Sequence, residues 1–210
     1  MNVACMYGVF WVCVAMILAM PAHAHLDQLE APQSNDGAWR IEAIQESDNQ
    51  DYVRALQSSQ SMLYETLGWG WPTGRLTAEA NLDTMRYYIE QRERRRSYSY
   101  VLRDAESGQL HGALFIGPAQ ERPGVQGFDP HSYDLEVTFW LAQTGQDLPI
   151  SATLIPEITA WLRDAWHAEQ VLFPIAQTNH FARQQLEQAD LLFLANNANN
   201  NELLYRFDAR

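Results

Sequence analysis

Hydrophobic and polar residues alternate along residues 133–141, near the middle of the chain. Alternation with a period of two, in a stretch rich in aromatic and β-branched side chains, is typical of a β-strand with two different faces. We therefore predict a central strand here. Its two faces carry Val137, Phe139 and Leu141 on one side and Glu136, Thr138 and Trp140 on the other.

A helix is predicted after this strand, because apolar residues recur there with the helical period. A polar turn over residues 143–149 joins the two elements, so the free N–H groups of a helix N-terminus would lie beside the strand end and could bind an anion. Pro156 leaves two starts open: the helix begins after Thr153, or it begins at Ser151 and loses a backbone hydrogen bond. The apolar positions are Leu154, Ile155, Ile158, Trp161, Leu162 and Ala165.

The same patterns predict the other elements, and together they indicate one α/β (α+β) domain. Alternating segments separated by short loops with Gly, Asn or Asp are typical of strands and hairpins. The predicted helices cover residues 51–67, 77–96, 151–166 and 178–189, the second of them capped by Thr77. The predicted strands cover residues 39–44, 97–103, 109–116, 133–141, 170–175, 190–195 and 202–207.

This order of elements, β-α-α-β-β-β-α-β-α-β-β, resembles that of the GNAT acetyltransferase superfamily. The resemblance extends to the segments DYVRALQSSQSMLYETLGWGWP, QLHGALFIGP, YDLEVTFWL and ITAWLRDAW. It implies a GNAT fold, with a mixed central sheet of about seven strands and about four flanking helices. It also implies that strands 4 and 5 splay apart.

In the superfamily, acetyl-CoA lies in that V-shaped opening, and a loop of pattern Gln/Arg-x-x-Gly-x-Gly/Ala wraps its pyrophosphate. Here the loop keeps Gln143 and Gly145, but the second glycine is missing and Asp147 adds a negative charge. No metal is implied. The resemblance assigns acetyl-CoA binding to Phe139, Trp140, Leu141, Gln143, Gly145, Gln146, Ser151 and Asn179.

The resemblance also implies catalytic roles. Glu136 matches the strand-4 glutamate that acts as a general base, although it could equally be an ordinary solvent-facing carboxylate. Leu186 falls where members keep a tyrosine that acts as general acid. Tyr133 could replace that tyrosine if the preceding loop folds over the site; otherwise it serves only in packing.

The function implied is acyl-CoA-dependent N-acyl transfer, most simply N-acetyl transfer, to an unidentified small-molecule or peptide amine. The alternative is a non-catalytic GNAT-like binding module in the periplasm that has lost acetyl-CoA binding. Four aromatic residues fall where the superfamily shapes its acceptor pocket, or they belong to an aromatic core and one exposed turn. They are Trp69, Trp71, Tyr87 and Tyr88.

Charge limits the partners. The net charge is −12, and all 14 cationic residues are Arg, since the chain contains no Lys. Nucleic acids and anionic membrane surfaces repel such a chain, so neither is an expected partner. The oligomeric state is not indicated by the sequence.

The N-terminus carries an 18-residue apolar run from Val3 to Met20. Small residues at Ala22 and Ala24 match a signal-peptidase site before His25, although the usual cationic segment is missing. We divide the chain into a signal peptide (1–24), a linker (25–37) and a GNAT-like domain (38–210). An uncleaved membrane anchor or an over-extended start are the alternatives. Export makes the protein periplasmic or secreted, whereas an over-extended start makes it cytoplasmic.

Overall fold

Seven strands form one mixed sheet in the computed structural model, which describes residue 26, residues 32–67 and residues 76–209. The strands are Trp39–Ala43 (β1), Tyr98–Asp104 (β2), Leu110–Gly117 (β3), Leu135–Leu141 (β4), Gln170–Ala176 (β5), Leu192–Asn197 (β6) and Glu202–Asp208 (β7). The α-helices are Asn49–Ser58 (α1), Gln60–Leu67 (α2), Ala78–Glu93 (α3), Gln143–Gln146 (α4), Leu154–Trp166 (α5) and His180–Gln188 (α6).

The strand order is β1-β2-β3-β4-β5-β7-β6, and every neighbouring pair except β4 and β5 is antiparallel. The parallel β4–β5 pairing consists of Leu135 with Val171 and Glu136 with Leu172. Beyond Glu136 the two strands diverge, which opens the sheet between them. The predicted mixed sheet and its splay between strands 4 and 5 are confirmed.

Both faces of the sheet are covered, and the side chains of β4 alternate between them. Val137, Phe139 and Leu141 belong to a core that the sheet shares with α5 and α6. Trp140 belongs to a second core that the sheet shares with α1, α2 and α3. Glu136 and Thr138 lie on the same side as Trp140 but are only partly covered, and both line the opening.

The predicted helix over residues 51–67 is wrong in one respect: it is broken at Ser59 into α1 and α2. Ser58 donates its hydroxyl to the Ala55 carbonyl (2.9 Å), and Ser59 has a non-helical φ of −129°. Serine side chains that bond to the local backbone compete with helical hydrogen bonds, which explains why the break falls here. This break and the unpredicted α4 raise the count to six α-helices in the described residues.

The connection from β4 to α5 is not the predicted turn. It consists of α4 followed by the 3-10 helix Pro149–Thr153, and α5 begins at Leu154 with Thr153 as N-cap. The later of the two predicted starts is therefore correct. Pro156 lies in the first turn of α5, where its missing N–H leaves no hydrogen bond unmade.

Two residues that precede β1 in the chain, Leu26 and Ser34, contact the domain. Leu26 is buried in the α5–α6 core, and its carbonyl accepts a hydrogen bond from the Tyr98 hydroxyl (2.9 Å). Ser34 pairs with Ile41 of β1 through two backbone hydrogen bonds of 2.8 and 3.1 Å. Among the described residues, no helix is both long and apolar enough to cross a membrane, and the apolar run at residues 3–20 lies outside them.

Candidate functional site

A cavity of about 390 Å³ lies where β4 and β5 diverge. It falls within the size range of small-molecule sites in proteins. Its walls come from β4, β5, the N-terminus of α6, the hairpin turn between β6 and β7, and the loop of residues 118–132, which we call the cleft loop. The lining residues are Gln120, Glu121, Arg122, Glu136, Thr138, Phe139, Pro174, Ile175, Ala176, Asn179, Asn200, Asn201 and Glu202.

Glu136 lies on the wall of this cavity, with 13% of its side chain exposed. Its Oε1 accepts a hydrogen bond from Nη2 of Arg122 (2.9 Å), and its Oε2 accepts one from the backbone N–H of Gln120 (2.9 Å). Burial raises the pKa of the Glu136 carboxyl above its usual value, and these two donors offset part of the rise. The ordinary solvent-facing strand carboxylate does not describe this environment.

Arg122 links both sides of the opening. Its side chain is 6% exposed, and its Nε lies 2.9 Å from Oε1 of Glu202, on β7. Its Nη1 also donates to the Gln120 carbonyl (2.7 Å). A buried arginine held by two buried carboxylates is a charge cluster, and its removal would leave uncompensated charge.

The cleft loop takes this path because of a glycine and the last hairpin. Gly124 has a φ of +100°, and a Cβ there would lie 2.1 Å from Nδ2 of Asn199. The positive φ favours glycine, and a Cβ would also displace the Asn199 side chain. Nδ2 of Asn199 in turn donates to the Pro123 carbonyl (3.1 Å), which holds the loop against the β6–β7 turn.

Sequence patterns did not find Arg122 or Glu202. The cleft loop was predicted only as a connection, and Glu202 only as the start of the last strand. The two residues come together because β7 inserts next to β5, a long-range pairing that periodicity does not reveal. A single arginine in a Pro- and Gly-rich loop of an acidic chain was the one available signal.

The loop does fold over the sheet, as the Tyr133 hypothesis required, but Tyr133 is not among the residues that line the cavity. Its ring stacks on Phe128, with centroids 5.5 Å apart and planes 19° apart. The centroid of the Phe128 ring lies 6.0 Å from Cζ of Arg122. Burial raises the pKa of the Tyr133 hydroxyl, which makes it a weaker acid. Its packing role is visible, and its catalytic role stays a prediction.

Helix α4 occupies the place of the expected pyrophosphate loop, and many of its backbone N–H groups donate within the protein. The N–H of Gln143 donates to Oγ of Ser59 (2.8 Å), across to the α1–α2 break. Amides engaged in this way are not free to bind an anion. Five more backbone N–H groups donate to backbone carbonyls nearby. Those of Gly145 and Gln146 donate to the carbonyl of Ala142, that of Asp147 to Gln143, that of Leu148 to Gly145, and that of Ser151 to Leu148.

No protein-family model matches the chain, and no curated protein matches it in sequence. Solved structures do match it. It superposes on the ribosomal-protein-S5-alanine acetyltransferase from Vibrio fischeri with a TM-score of 0.60, over 85% of this chain and 97% of that chain, at 12% identity. The chain has the GNAT fold.

Two further structures with this fold are complexes with coenzyme A. RimL, a ribosomal L7/L12 alpha-N-protein acetyltransferase in complex with coenzyme A, matches with a TM-score of 0.62, over 83% of this chain and 96% of that chain, at 12% identity. RimJ from Mycobacterium smegmatis, in complex with CoA-disulfide, matches with a TM-score of 0.61. The superposition covers 85% of this chain and 86% of that chain, at 13% identity. The predicted fold class is confirmed.

Within the GNAT fold, the strand-4 residues assigned to acetyl-CoA occupy different surroundings. Phe139 lines the cavity, whereas Trp140 faces the opposite core, edge-on to Tyr52 at 5.3 Å. Leu141 is buried, and its carbonyl accepts a hydrogen bond from Nε2 of Gln146 (2.9 Å). Beyond Glu136, the edge of β4 that faces β5 has no strand pairing with it, so a ligand lying there could bond to the backbone.

The loop residues assigned to acetyl-CoA contact the protein instead. Nε2 of Gln143 donates to Oδ1 of Asp147 (2.7 Å). Gly145 is buried, and a Cβ there would lie 2.8 Å from both Cβ of His111 and Cγ of Leu141. This glycine therefore lets α4 pack on the sheet. The unpaired edge of β4 offers backbone groups to which an acyl-pantetheine arm could bond, whereas many amides of the α4 region are engaged within the protein and are not available to a pyrophosphate.

Asn179 is the N-cap of α6, with its Oδ1 accepting from the N–H of Ala182 (3.0 Å), and it also lines the cavity. Leu186, at the expected tyrosine position of the same helix, is fully buried in the core. Among the described residues that line the cavity, none is Tyr, Ser or Cys. These walls therefore supply no tyrosine or cysteine as a general acid, and their titratable side chains are carboxyl groups and one arginine.

The expected acceptor pocket is only partly described. Trp69 and Trp71 lie outside the described residues. Tyr88 packs against Phe115, with ring centroids 5.3 Å apart, while Tyr87 is exposed. In the described ranges no group of three or more His, Cys, Asp or Glu side chains could hold a metal ion.

Proposed function

We propose that this protein is an acyl-CoA-dependent N-acyltransferase, most simply an N-acetyltransferase, whose acceptor is an amine. The observation that carries the proposal is the position of Glu136. This carboxylate lies on the wall of the opening between β4 and β5, in a fold that the chain shares with N-acetyltransferases, two of them complexes of coenzyme A. The proposed site combines a base, a cleft and an unpaired strand edge.

In the proposed reaction, the amine nitrogen attacks the thioester carbonyl, the C–N bond forms and the C–S bond breaks. Glu136 takes the proton that the amine loses, directly or through one water. The partly buried position favours this role, because desolvation raises the basicity of a carboxylate. The edge of β4 beyond Glu136 would position the thioester.

The leaving thiolate then needs a proton, and the described cavity wall offers no tyrosine or cysteine for it. Thiols are far stronger acids than alcohols, with a pKa of about 8.5 for the cysteine side chain, so a thiolate is a tolerable leaving group near neutral pH. We assign its protonation to water. This fits the burial of Leu186, at the position where the superfamily keeps a tyrosine.

The acceptor is proposed to be a small-molecule or peptide amine. Support for a peptide comes from two structural neighbours, one named for the alanine of ribosomal protein S5 and one that modifies the N-terminal serine of L7/L12. Glu121, Glu136 and Glu202 around the cavity outnumber the single Arg122. A negative cleft favours a cationic acceptor over an acidic one.

The second candidate is a GNAT-like binding module without catalysis. The specific observation for it is the internal use of the α4 amides, which removes donors that a CoA pyrophosphate would need. Export, if the N-terminal segment is a signal peptide, would also favour this candidate, because acyl-CoA is not expected in the periplasm. A cytoplasmic location would favour the enzyme.

Release of free thiol from acetyl-CoA, measured with a panel of amines and N-terminal peptides, tests the proposal. We expect turnover with at least one amine, and Glu136→Gln should lower it by about 10²-fold or more. Glu106→Gln, an exposed carboxylate in the β2–β3 turn, is the control and should behave like the unaltered protein. No turnover with any acceptor, together with no binding of CoA, would leave the binding module as the function.

A further inference from the structure

The cleft loop brings a buried cation to the candidate base, and no other described cation lines the cavity. Arg122 touches Glu136 through Nη2, Glu202 through Nε and the Gln120 carbonyl through Nη1. The loop contributes a second donor to Glu136, the N–H of Gln120. Both oxygens of the Glu136 carboxylate are thus oriented by one loop.

The two carboxylates beside Arg122 are bound differently. Oε1 of Glu202 accepts hydrogen bonds from the side-chain amides of Asn197 (2.7 Å) and Asn200 (3.2 Å), and it forms an ion pair with Nε of Arg122 (2.9 Å). Glu136 receives one donor on each oxygen. A carboxylate has about four lone-pair sites, so Glu136 keeps acceptor capacity toward the cavity. Glu202, held by the two asparagines, anchors the arginine from β7, while Glu136 lies on the β4 side of the cavity.

We propose that Arg122 is a positioning residue for the candidate base: anchored by Glu202, it orients the Glu136 carboxylate in the cleft and keeps it ionised. The inference rests on the proposed function for its catalytic meaning. The electrostatic effect of Arg122 on Glu136 does not depend on the proposed function, because a buried carboxylate without a cationic partner takes up a proton instead of staying charged. A base that is already protonated cannot accept the proton of an amine.

The other groups that face Glu136 do not supply this charge. Glu202 from β7 and Glu121 from the cleft loop are acidic and oppose ionisation. The rest of the wall formed by β4, β5 and the N-terminus of α6 is uncharged. It consists of Thr138, Phe139, Pro174, Ile175, Ala176 and Asn179. Among the described residues, the guanidinium of Arg122 is the positive charge on this site.

The test is to titrate the Glu136 carboxyl carbon by NMR in the full-length, ¹³C-labelled protein, with the signal assigned by its loss in Glu136→Gln. We expect Arg122→Met to raise the pKa of Glu136, and Arg122→Lys, which keeps the charge, to restore most of the original value. We expect Glu202→Gln to lower the pKa of Glu136, because a competing negative charge is removed while the isosteric amide still fits. Opposite shifts in the two variants are not produced by general damage to the fold.

Arg103→Met is the matched control. Arg103 is also a mostly buried arginine, with 14% of its side chain exposed, and it contacts Asp48, Glu42 and Asp51 away from the cleft. We expect this variant to lose stability and leave the titration of Glu136 unchanged. If Arg122→Met does not fold, Glu202→Gln and Arg122→Lys still decide the question.

The activity readout is the pH dependence of kcat/KM. The acidic limb should move to higher pH in Arg122→Met, so kcat/KM on that limb should fall by roughly tenfold or more, with Arg122→Lys partly recovering it. If the protein transfers no acyl group, the proposed function fails, but the NMR titration still tests the inference. An unchanged or lowered pKa of Glu136 in Arg122→Met, or no lowering in Glu202→Gln, would overturn it.

Discussion

At the scale of single residues, the cleft depends on how buried charges are matched. Glu136, Arg122 and Glu202 are all mostly buried, so both carboxylates depend on Arg122 for compensation of their charge. Such clusters rarely add net stability, but losing one member leaves a buried charge unpaired, at a cost of about 3–5 kcal/mol. The arrangement is therefore better explained by the control of Glu136 than by stabilisation of the fold.

His111 is a second buried titratable residue, and it supports α4. Its Nδ1 lies 3.1 Å from Oγ1 of Thr144, and its ring is edge-on to Trp39 at 6.2 Å. Burial lowers the pKa of His111 below its usual value. The unfolded chain therefore binds this proton more tightly than the folded protein, and stability should fall as the pH drops below about 6.5.

We predict that His111→Asn flattens this pH dependence. Asparagine can keep a hydrogen bond to Thr144 but does not titrate, so the slope of unfolding free energy against pH should decrease by up to about 1.4 kcal/mol per pH unit just below neutrality. Urea unfolding at a series of pH values measures the slope. His167→Asn is the control, because His167 is exposed and its left-handed backbone suits asparagine. Equal slopes in the His111 variant and the unaltered protein would contradict the assignment.

At the scale of elements, α4 decides how the end of β4 is used. A loop that binds pyrophosphate needs free amides, whereas α4 and the following 3-10 helix satisfy many of theirs internally. Gly145 makes this packing possible, because any Cβ would contact His111 and Leu141. The same glycine that resembles a cofactor motif in the sequence thus has a structural role in the fold.

We predict that Gly145→Ala destabilises the protein by about 1–3 kcal/mol through overpacking. The gain from replacing glycine by alanine in a helix is at most about 1 kcal/mol and should not compensate in so short a helix. Gly117→Ala is the control, because its Cβ would meet its nearest neighbour, Ser97 Cβ, at 3.8 Å, an ordinary contact. Thermal unfolding of both variants measures the difference. Equal stability of the two variants would contradict the prediction, because it would show that α4 can shift to accommodate the added methyl group.

Local patterns predicted most of the elements, because the alternation in β4 and the helical period in α5 each correspond to a buried face. They failed where tertiary contacts decide the local structure. The break at Ser59 is stabilised by the N–H of Gln143, and α4 by its packing on His111 and Leu141. No periodicity within residues 58–59 or 143–146 contains that information.

At the scale of the whole molecule, the site arises from the way the sheet divides. One part, β1 to β4, and the other, β5, β7 and β6, are joined in the sheet by two residue pairs only, and then separate. Arg122 reconnects them across the opening, from Glu136 on β4 to Glu202 on β7. A ligand in the opening would therefore meet both parts and the cleft loop at once.

The site was predicted only in part, for the same reason. Glu136 was found because its strand and face follow from alternation and its role from a resemblance. Arg122 and Glu202 were missed because they belong to segments whose local patterns indicate only a loop and a strand start. The fold alone brings these three residues together, so sequence periodicity could not have placed the positive charge of Arg122 beside Glu136.

The central claim is that the opening between β4 and β5 holds an acyl-CoA, and calorimetric titration tests it most directly. Acetyl-CoA and CoA should be titrated into the protein and into Thr138→Trp, whose indole would fill the opening beside Glu136. We predict micromolar binding, about −8 kcal/mol, that is lost in the variant. Absence of binding at millimolar ligand, or equal binding in a folded Thr138→Trp, would contradict the account.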